Sequence, residues 1–136
     1  MKKILLASHG HMASGIKSSM NILFGSSDNI TAFDAYVDEK SIEKVIEDFY
    51  AEVKEDDQVI LLSDLYGGSV NQMMFRYLNR PNTTLVTGVN LACVLEIAGT
   101  PNDLSKDEIK NIVNNAREMM MVVEDKEEDE SEEEFF

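Results

Sequence analysis

A chain of 136 residues, 43% hydrophobic and 28% charged, has the balance of one globular domain with a core of its own. Its net charge of −14 leaves nothing for a basic patch, which argues against nucleic-acid binding, and no apolar run is long enough to cross a bilayer. The apolar run behind the two N-terminal lysines is too short for a signal peptide, while the single cysteine, Cys93, excludes an internal disulfide framework and fits a reducing compartment.

Apolar runs bounded by turn residues alternate with segments of helical period. Lys3–Ser8 (KILLAS) predicts the first strand. From Met12 to Phe24, Met12, Ile16, Met20 and Leu23 fall near one helical face, and Gly25 is placed to supply a left-handed C-terminal cap. Asn29–Asp34 predicts a short second strand. Ser41 is placed to cap the next helix, where Ile42, Val45, Ile46, Phe49 and Val53 form an amphipathic stripe. Gln58–Ser63 (QVILLS) is apolar throughout, as a central strand covered on both faces would be.

DLYGGS follows, then a helix from Ser69 to about Asn79 with Val70, Met73, Met74 and Tyr77 as its apolar face. Thr83–Thr87 predicts the fourth strand, followed by Gly88-Val89-Asn90 and a short helix over Leu91–Ala98, in which Cys93 reads as a small buried apolar residue. Ser105 and Glu108 have the spacing of a capping box, and Ile109, Ile112, Val113, Ala116 and Met120 form the stripe of the last helix. Met119–Val123 (MMMVV) suits either a last helical turn or a strand. Nine acids and one lysine fill residues 124–136 (EDKEEDESEEEFF), leaving −6 for residues 1–123. The domain is therefore expected over 1–123, with 124–136 a disordered acidic tail. No role suggests itself for Phe135 and Phe136. The whole pattern predicts an α/β fold: an open, mostly parallel sheet of four strands with helices on both faces.

In such sheets ligands sit outside the carboxyl ends of the strands. Three strand ends carry polar, glycine-rich sequence: Ser8-His9-Gly10, Ser63-Asp64-Leu65-Tyr66-Gly67-Gly68-Ser69, and Gly88-Val89-Asn90. The only two histidines, His9 and His11, stand at the first of these. Taken alone, an H-x-H is open to three readings: a metal clamp, a nucleophile with a bystander, or two loop residues. A largely unprotonated imidazole near neutral pH is a good nucleophile once a carboxylate fixes its tautomer. Asp64, ending the third strand, is within reach of His9 if the two strands are neighbours about 4.8 Å apart. Gly67 and Gly68 permit close backbone approach, and the helix beginning at Ser69 offers a hydroxyl and free amides to an anion. Histidine, carboxylate and oxyanion cradle together suit transient phosphorylation of histidine. No Walker-type or GxGxxG motif supports nucleotide binding, and no further ligands accompany His9 and His11 in a metal site, so no cofactor or metal is expected.

SHGHMASG after the first strand, SDLYGGSVNQ after the third and TGVNLACVLE after the fourth resemble the mannose-family enzyme IIA of the bacterial phosphoenolpyruvate-dependent sugar phosphotransferase system, over roughly residues 2–123. The resemblance implies a cytoplasmic carrier that takes a phosphoryl group from the histidine-containing phosphocarrier protein and passes it to a IIB component. A membrane IIC/IID pair then couples that transfer to sugar uptake, so contact with the membrane is indirect. It places the phosphorylated nucleophile on His9, the orienting carboxylate on Asp64 and the phosphate contacts on Gly67, Gly68 and Ser69. Ser8, Gly10, His11 and Asn90 are candidates for the rim; His11 finds no partner in the sequence. The family is also dimeric, with a C-terminal strand exchanged between subunits, which would make Met119–Val123 a strand. Two prolines common in the family are missing: Val70 follows GGS, and Leu91-Ala92-Cys93-Val94-Leu95 follows GVN. Both changes bear on helix starts more than on chemistry. With the acidic tail where some relatives continue into a linker and IIB domain, the chain looks like a stand-alone IIA subunit. Two other outputs suit the same fold: a regulatory module that binds partners according to its phosphorylation, and the phosphotransfer subunit of a dihydroxyacetone kinase.

Overall fold

A computed structural model describes residues 1–125. The tail from 126 onward, including Phe135 and Phe136, lies outside the described residues. The chain runs β1 (Lys2–His9), α1 (Met12–Phe24), β2 (Ile30–Ala35), α2 (Ile42–Ala51), β3 (Gln58–Ser63), α3 (Ser69–Phe75), β4 (Thr83–Val86), α4 (Leu91–Gly99) and α5 (Lys106–Glu118). The four strands form one sheet in the order β2-β1-β3-β4, and every pairing is parallel. The expected α/β architecture is thus present.

Strand alternation divides the core into two layers. Ile4 and Leu6 of β1, with Ile60 and Leu62 of β3, pack under α1, α4 and α5. Leu5 and Ala7, with Val59 and Leu61, pack under α2 and α3. β3 is buried along its whole length, as a strand covered on both faces must be. The same alternation, carried to the end of β1, turns Ser8 toward α1 and His9 toward α3.

Local signals explain most element ends. Gly25, at φ 76°, closes α1 and donates its N–H to Asn21 O. Ser41 accepts the Lys44 amide at the start of α2, and Ser105 and Glu108 form a complete capping box on α5. Three expectations are corrected. In α1 the buried face is Ala13, Ile16 and Met20, with Met12 and Leu23 exposed, because the helix rests on the sheet through its small residue. α3 stops at Phe75 and not near Asn79: the Arg76, Tyr77 and Leu78 amides bond three residues back, tightening the chain. That brings the Tyr77 ring onto Tyr50 at 5.4 Å, with the Arg80 guanidinium 5.0 Å above Tyr50. Finally, α5 ends at Glu118, so Met120 is not on a buried stripe but 83% exposed. Residues 119–123 form neither helix nor strand within the single chain.

Candidate functional site

The strand order reverses direction at β1: β2 lies on one side of it and β3 and β4 on the other. Such a switch point opens a crevice at the carboxyl ends of the strands between β1 and β3. His9, the last residue of β1, and Asp64, the first beyond β3, meet there. Asp64 Oδ2 accepts both the His9 backbone N–H (2.8 Å) and His9 Nδ1 (2.9 Å). The double contact holds the histidine by its backbone and its ring at once. In the neutral imidazole, a carboxylate facing Nδ1 favours the tautomer with the proton there, which leaves Nε2 with its lone pair. Nε2 points to Ser69 Oγ at 3.3 Å.

Burial raises the Asp64 carboxyl, but its bonds to the His9 amide and ring outweigh that and hold it below the ordinary carboxylate value. Its second oxygen, Oδ1, is buried without a partner. Asp64 is therefore an anion held against His9. Close packing on the other flank of the ring depends on glycine. A Cβ on Gly68 would lie 3.3 Å from His9 Cε1 and 3.3 Å from Leu65 O. Gly67 takes a left-handed φ of 76° so that the chain can turn from β3 into α3. The first bond within α3 runs from Gln72 N–H to Gly68 O, leaving the Ser69, Val70 and Asn71 amides outside the helical ladder. An imidazole, a carboxylate anion and a hydroxyl thus meet at this sheet edge, at the start of α3.

The family model for the PTS system fructose IIA component matches residues 3–116. The chain belongs to that family. It is accordingly a component of sugar phosphotransfer. The fructose-specific EIIA component of Bacillus subtilis (strain 168) is 22% identical over 122 residues, spanning 88% of this chain and 82% of that protein. A crystal structure from Klebsiella pneumoniae subsp. pneumoniae MGH 78578, assigned to a phosphoenolpyruvate-dependent sugar phosphotransferase system permease, superposes with a TM-score of 0.81. It is 28% identical, with 89% of this chain and 90% of that chain covered. The PTS IIA protein associated with the fucose utilization operon of Streptococcus pneumoniae gives 0.76 at 27% identity, covering 89% and 92%.

Not every residue expected at the rim of this IIA protein joins His9. Ser8 is fully buried, and its Oγ accepts the Ala13 amide at 2.7 Å, tying β1 to the start of α1. Gly10 adopts φ 62° and donates its N–H to Ala35 O, which carries the chain off β1 toward β2. Asn90 caps α4 by accepting the Cys93 amide at 2.9 Å and donates to Ala116 O at 2.8 Å. It lines a separate cleft with Tyr66, Thr87 and Arg117. His11 does have a partner: its Nδ1 lies 3.0 Å from Asp34 Oδ2. Asp34 also accepts the Ser14 amide (2.9 Å) and hydroxyl (2.6 Å), and these contacts, against an upward push from burial, leave its carboxyl below the ordinary value. Among the described residues no group of three His, Cys, Asp or Glu side chains could hold a metal ion, and no helix is long and apolar enough to cross a membrane.

Two residues escaped the sequence reading. Asp34 was visible only as the end of a strand, and Tyr36, two residues later, sits beside His9 with ring centroids 5.3 Å apart. The Tyr36 hydroxyl lies 2.5 Å from Ser69 Oγ. The available signal was positional. The carboxyl end of β2 reaches the same sheet edge as the other three, but without a glycine it does not stand out.

Proposed function

We propose that this IIA protein carries a phosphoryl group on His9 Nε2, accepting it from the histidine-containing phosphocarrier protein and passing it to a IIB component. The observation that carries the reading is the His9–Asp64–Ser69 geometry: one ring nitrogen faces an anion and the other a hydroxyl at the start of α3. In the accepting step the His9 Nε2 lone pair forms a bond to phosphorus while the N–P bond of the donor histidine breaks and its pair returns to the donor ring. In the onward step the IIB nucleophile bonds phosphorus while the His9 Nε2–P bond breaks and its pair returns to Nε2. The Nδ1 proton stays on His9, facing Asp64, whose charge offsets the cationic phosphorylated ring. Gly67 and Gly68 let the α3 amides and Ser69 close on the phosphoryl oxygens. The protein works in the cytoplasm and meets the membrane only through the IIC/IID complex. It does so as a homodimer, a reading supported by the five consecutive exposed apolar residues Met119–Val123, which need a cover; sedimentation of the chain cut after Glu118 as a monomer, against a dimer for the full chain, checks it.

Incubation with phosphoenolpyruvate, enzyme I and the phosphocarrier protein is expected to label the chain in an acid-labile, base-stable form, and His9→Ala to abolish the label. Undiminished labelling of His9→Ala would sink the assignment.

A further inference from the structure

We propose that Tyr36 is a phosphoryl-binding residue, whose hydroxyl donates directly to the phosphoryl group on His9 beside that of Ser69. The proposal rests on the phosphohistidine reading above. Two features of Tyr36 set it apart. Its φ of 67° lies in the left-handed region, which bulky residues rarely adopt and which persists only where the surroundings hold it. Its side chain is also 65% exposed, so no core contact accounts for that backbone. What holds the ring is the site itself: the imidazole at 5.3 Å and the Ser69 hydroxyl at 2.5 Å.

Proton accounting gives this contact a direction. In the neutral tautomer that carries its proton on Nδ1, facing Asp64 at 2.9 Å, Nε2 can only accept. Ser69 therefore donates its single proton to Nε2, and its oxygen accepts from Tyr36. When Nε2 bonds phosphorus, its lone pair is consumed and the Ser69 proton loses its acceptor. The entering group brings oxygens into the same space, and Ser69 turns its proton to one of them. The Tyr36 proton, a hydrogen-bond length away, then finds an acceptor stronger than a neutral hydroxyl, because the phosphoryl oxygens are charged. Neither hydroxyl gives up its proton; both change partner. Meanwhile the Tyr36 ring shields one side of the imidazole from water.

The test compares Tyr36→Phe, Ser69→Ala and the double variant, using the full chain and phosphorylated phosphocarrier protein as donor, with single-turnover rates and donor-concentration dependence measured. Loss of a donor to a charged group is expected to lower the transfer rate roughly 10- to 100-fold, leaving the half-saturating donor concentration within about twofold. The drop should persist in the Ser69→Ala background. A Tyr36→Phe rate within about twofold of wild type would overturn the proposal. So would a drop that vanishes when Ser69 is already Ala, since Tyr36 would then act only through Ser69. Should Tyr36→Phe fold poorly, Tyr36→Asn, which tolerates the left-handed backbone, carries the same expectation. Both outcomes against Tyr36 presuppose label on His9; label that maps elsewhere in the wild-type chain would overturn the underlying reading as well.

Discussion

Asp64→Asn isolates the charge of the carboxylate from its shape. An asparagine can keep an oxygen where Oδ2 now accepts the His9 amide and Nδ1, at 2.8 and 2.9 Å. Its NH2 would then fill the place of Oδ1, buried without a partner. A phosphoryl group on Nε2 with the proton kept on Nδ1 makes the ring cationic, so the carboxylate charge matters most in the phosphorylated state. Unit charges about 4 Å apart at an effective dielectric near 20 attract by about 4 kcal/mol. The His9 side chain is 41% exposed, and solvent screening reduces the useful part to about 1–2 kcal/mol. That corresponds to a roughly 5- to 30-fold loss in both the transfer rate and the equilibrium share of phosphoprotein. Single-turnover labelling from phosphorylated phosphocarrier protein measures the rate, and the plateau measures the share. Rate and plateau within about twofold of wild type, in a folded variant, would refute the argument that Asp64 acts through its charge.

Two further outcomes follow from the geometry. Gly68→Ala meets no backbone barrier, since φ −69° and ψ 166° suit alanine, but the new Cβ stands 3.3 Å from His9 Cε1 and from Leu65 O. The ring must move by a few tenths of an ångström, so transfer is expected to slow roughly 3- to 10-fold with little change in melting temperature; the reverse pattern would show that the contact serves stability alone. Asp34 and Asp64 both titrate below their ordinary range when folded. The stability they add is fully present above the unfolded value near 3.9 and is lost as pH falls through the lower folded values. Urea unfolding at pH 7, 4.5 and 3 is therefore expected to show a shallower acid loss in Asp34→Asn than in wild type, and parallel losses would contradict it.

What the sequence revealed about the site, and what it did not, has a physical basis. The strands of this sheet are continuous apolar runs, and QVILLS has no alternative to burial, so β3 falls where its residues predict. Ser41 and Ser105 mark helix starts because an oxygen that accepts an amide two or three residues on is a local interaction. His9, Asp64, Gly68 and Ser69 were likewise marked by strand-end motifs rich in glycine. Tyr36 and Asp34 were not, because their parts depend on which strand lies beside β1, a property of the whole sheet. The end of α3 failed for a similar reason: Tyr77 has the right helical spacing, yet its ring stacks on Tyr50 of another element, a contact that helical period alone does not reveal.

The same sheet order explains why two histidines separated by one glycine do not share a ligand. β1 has a neighbour on each side: β2 carries Asp34 one residue before its end, and β3 runs into Asp64. His9, still on the strand, faces α3 and pairs with Asp64 from β3. Gly10, at φ 62°, then turns the chain toward β2 through its bond to Ala35 O, and His11 pairs with Asp34 from that strand. The two imidazoles are thus held by opposite neighbours of one strand. Their surroundings differ accordingly. Ser69 faces the Nε2 of His9, whereas Ser14 donates to Asp34, the partner of the His11 Nδ1. Only the first arrangement places a hydroxyl where an incoming phosphoryl group would need one, and this difference, more than the identity of either histidine, supports the proposal that His9 is the nucleophile.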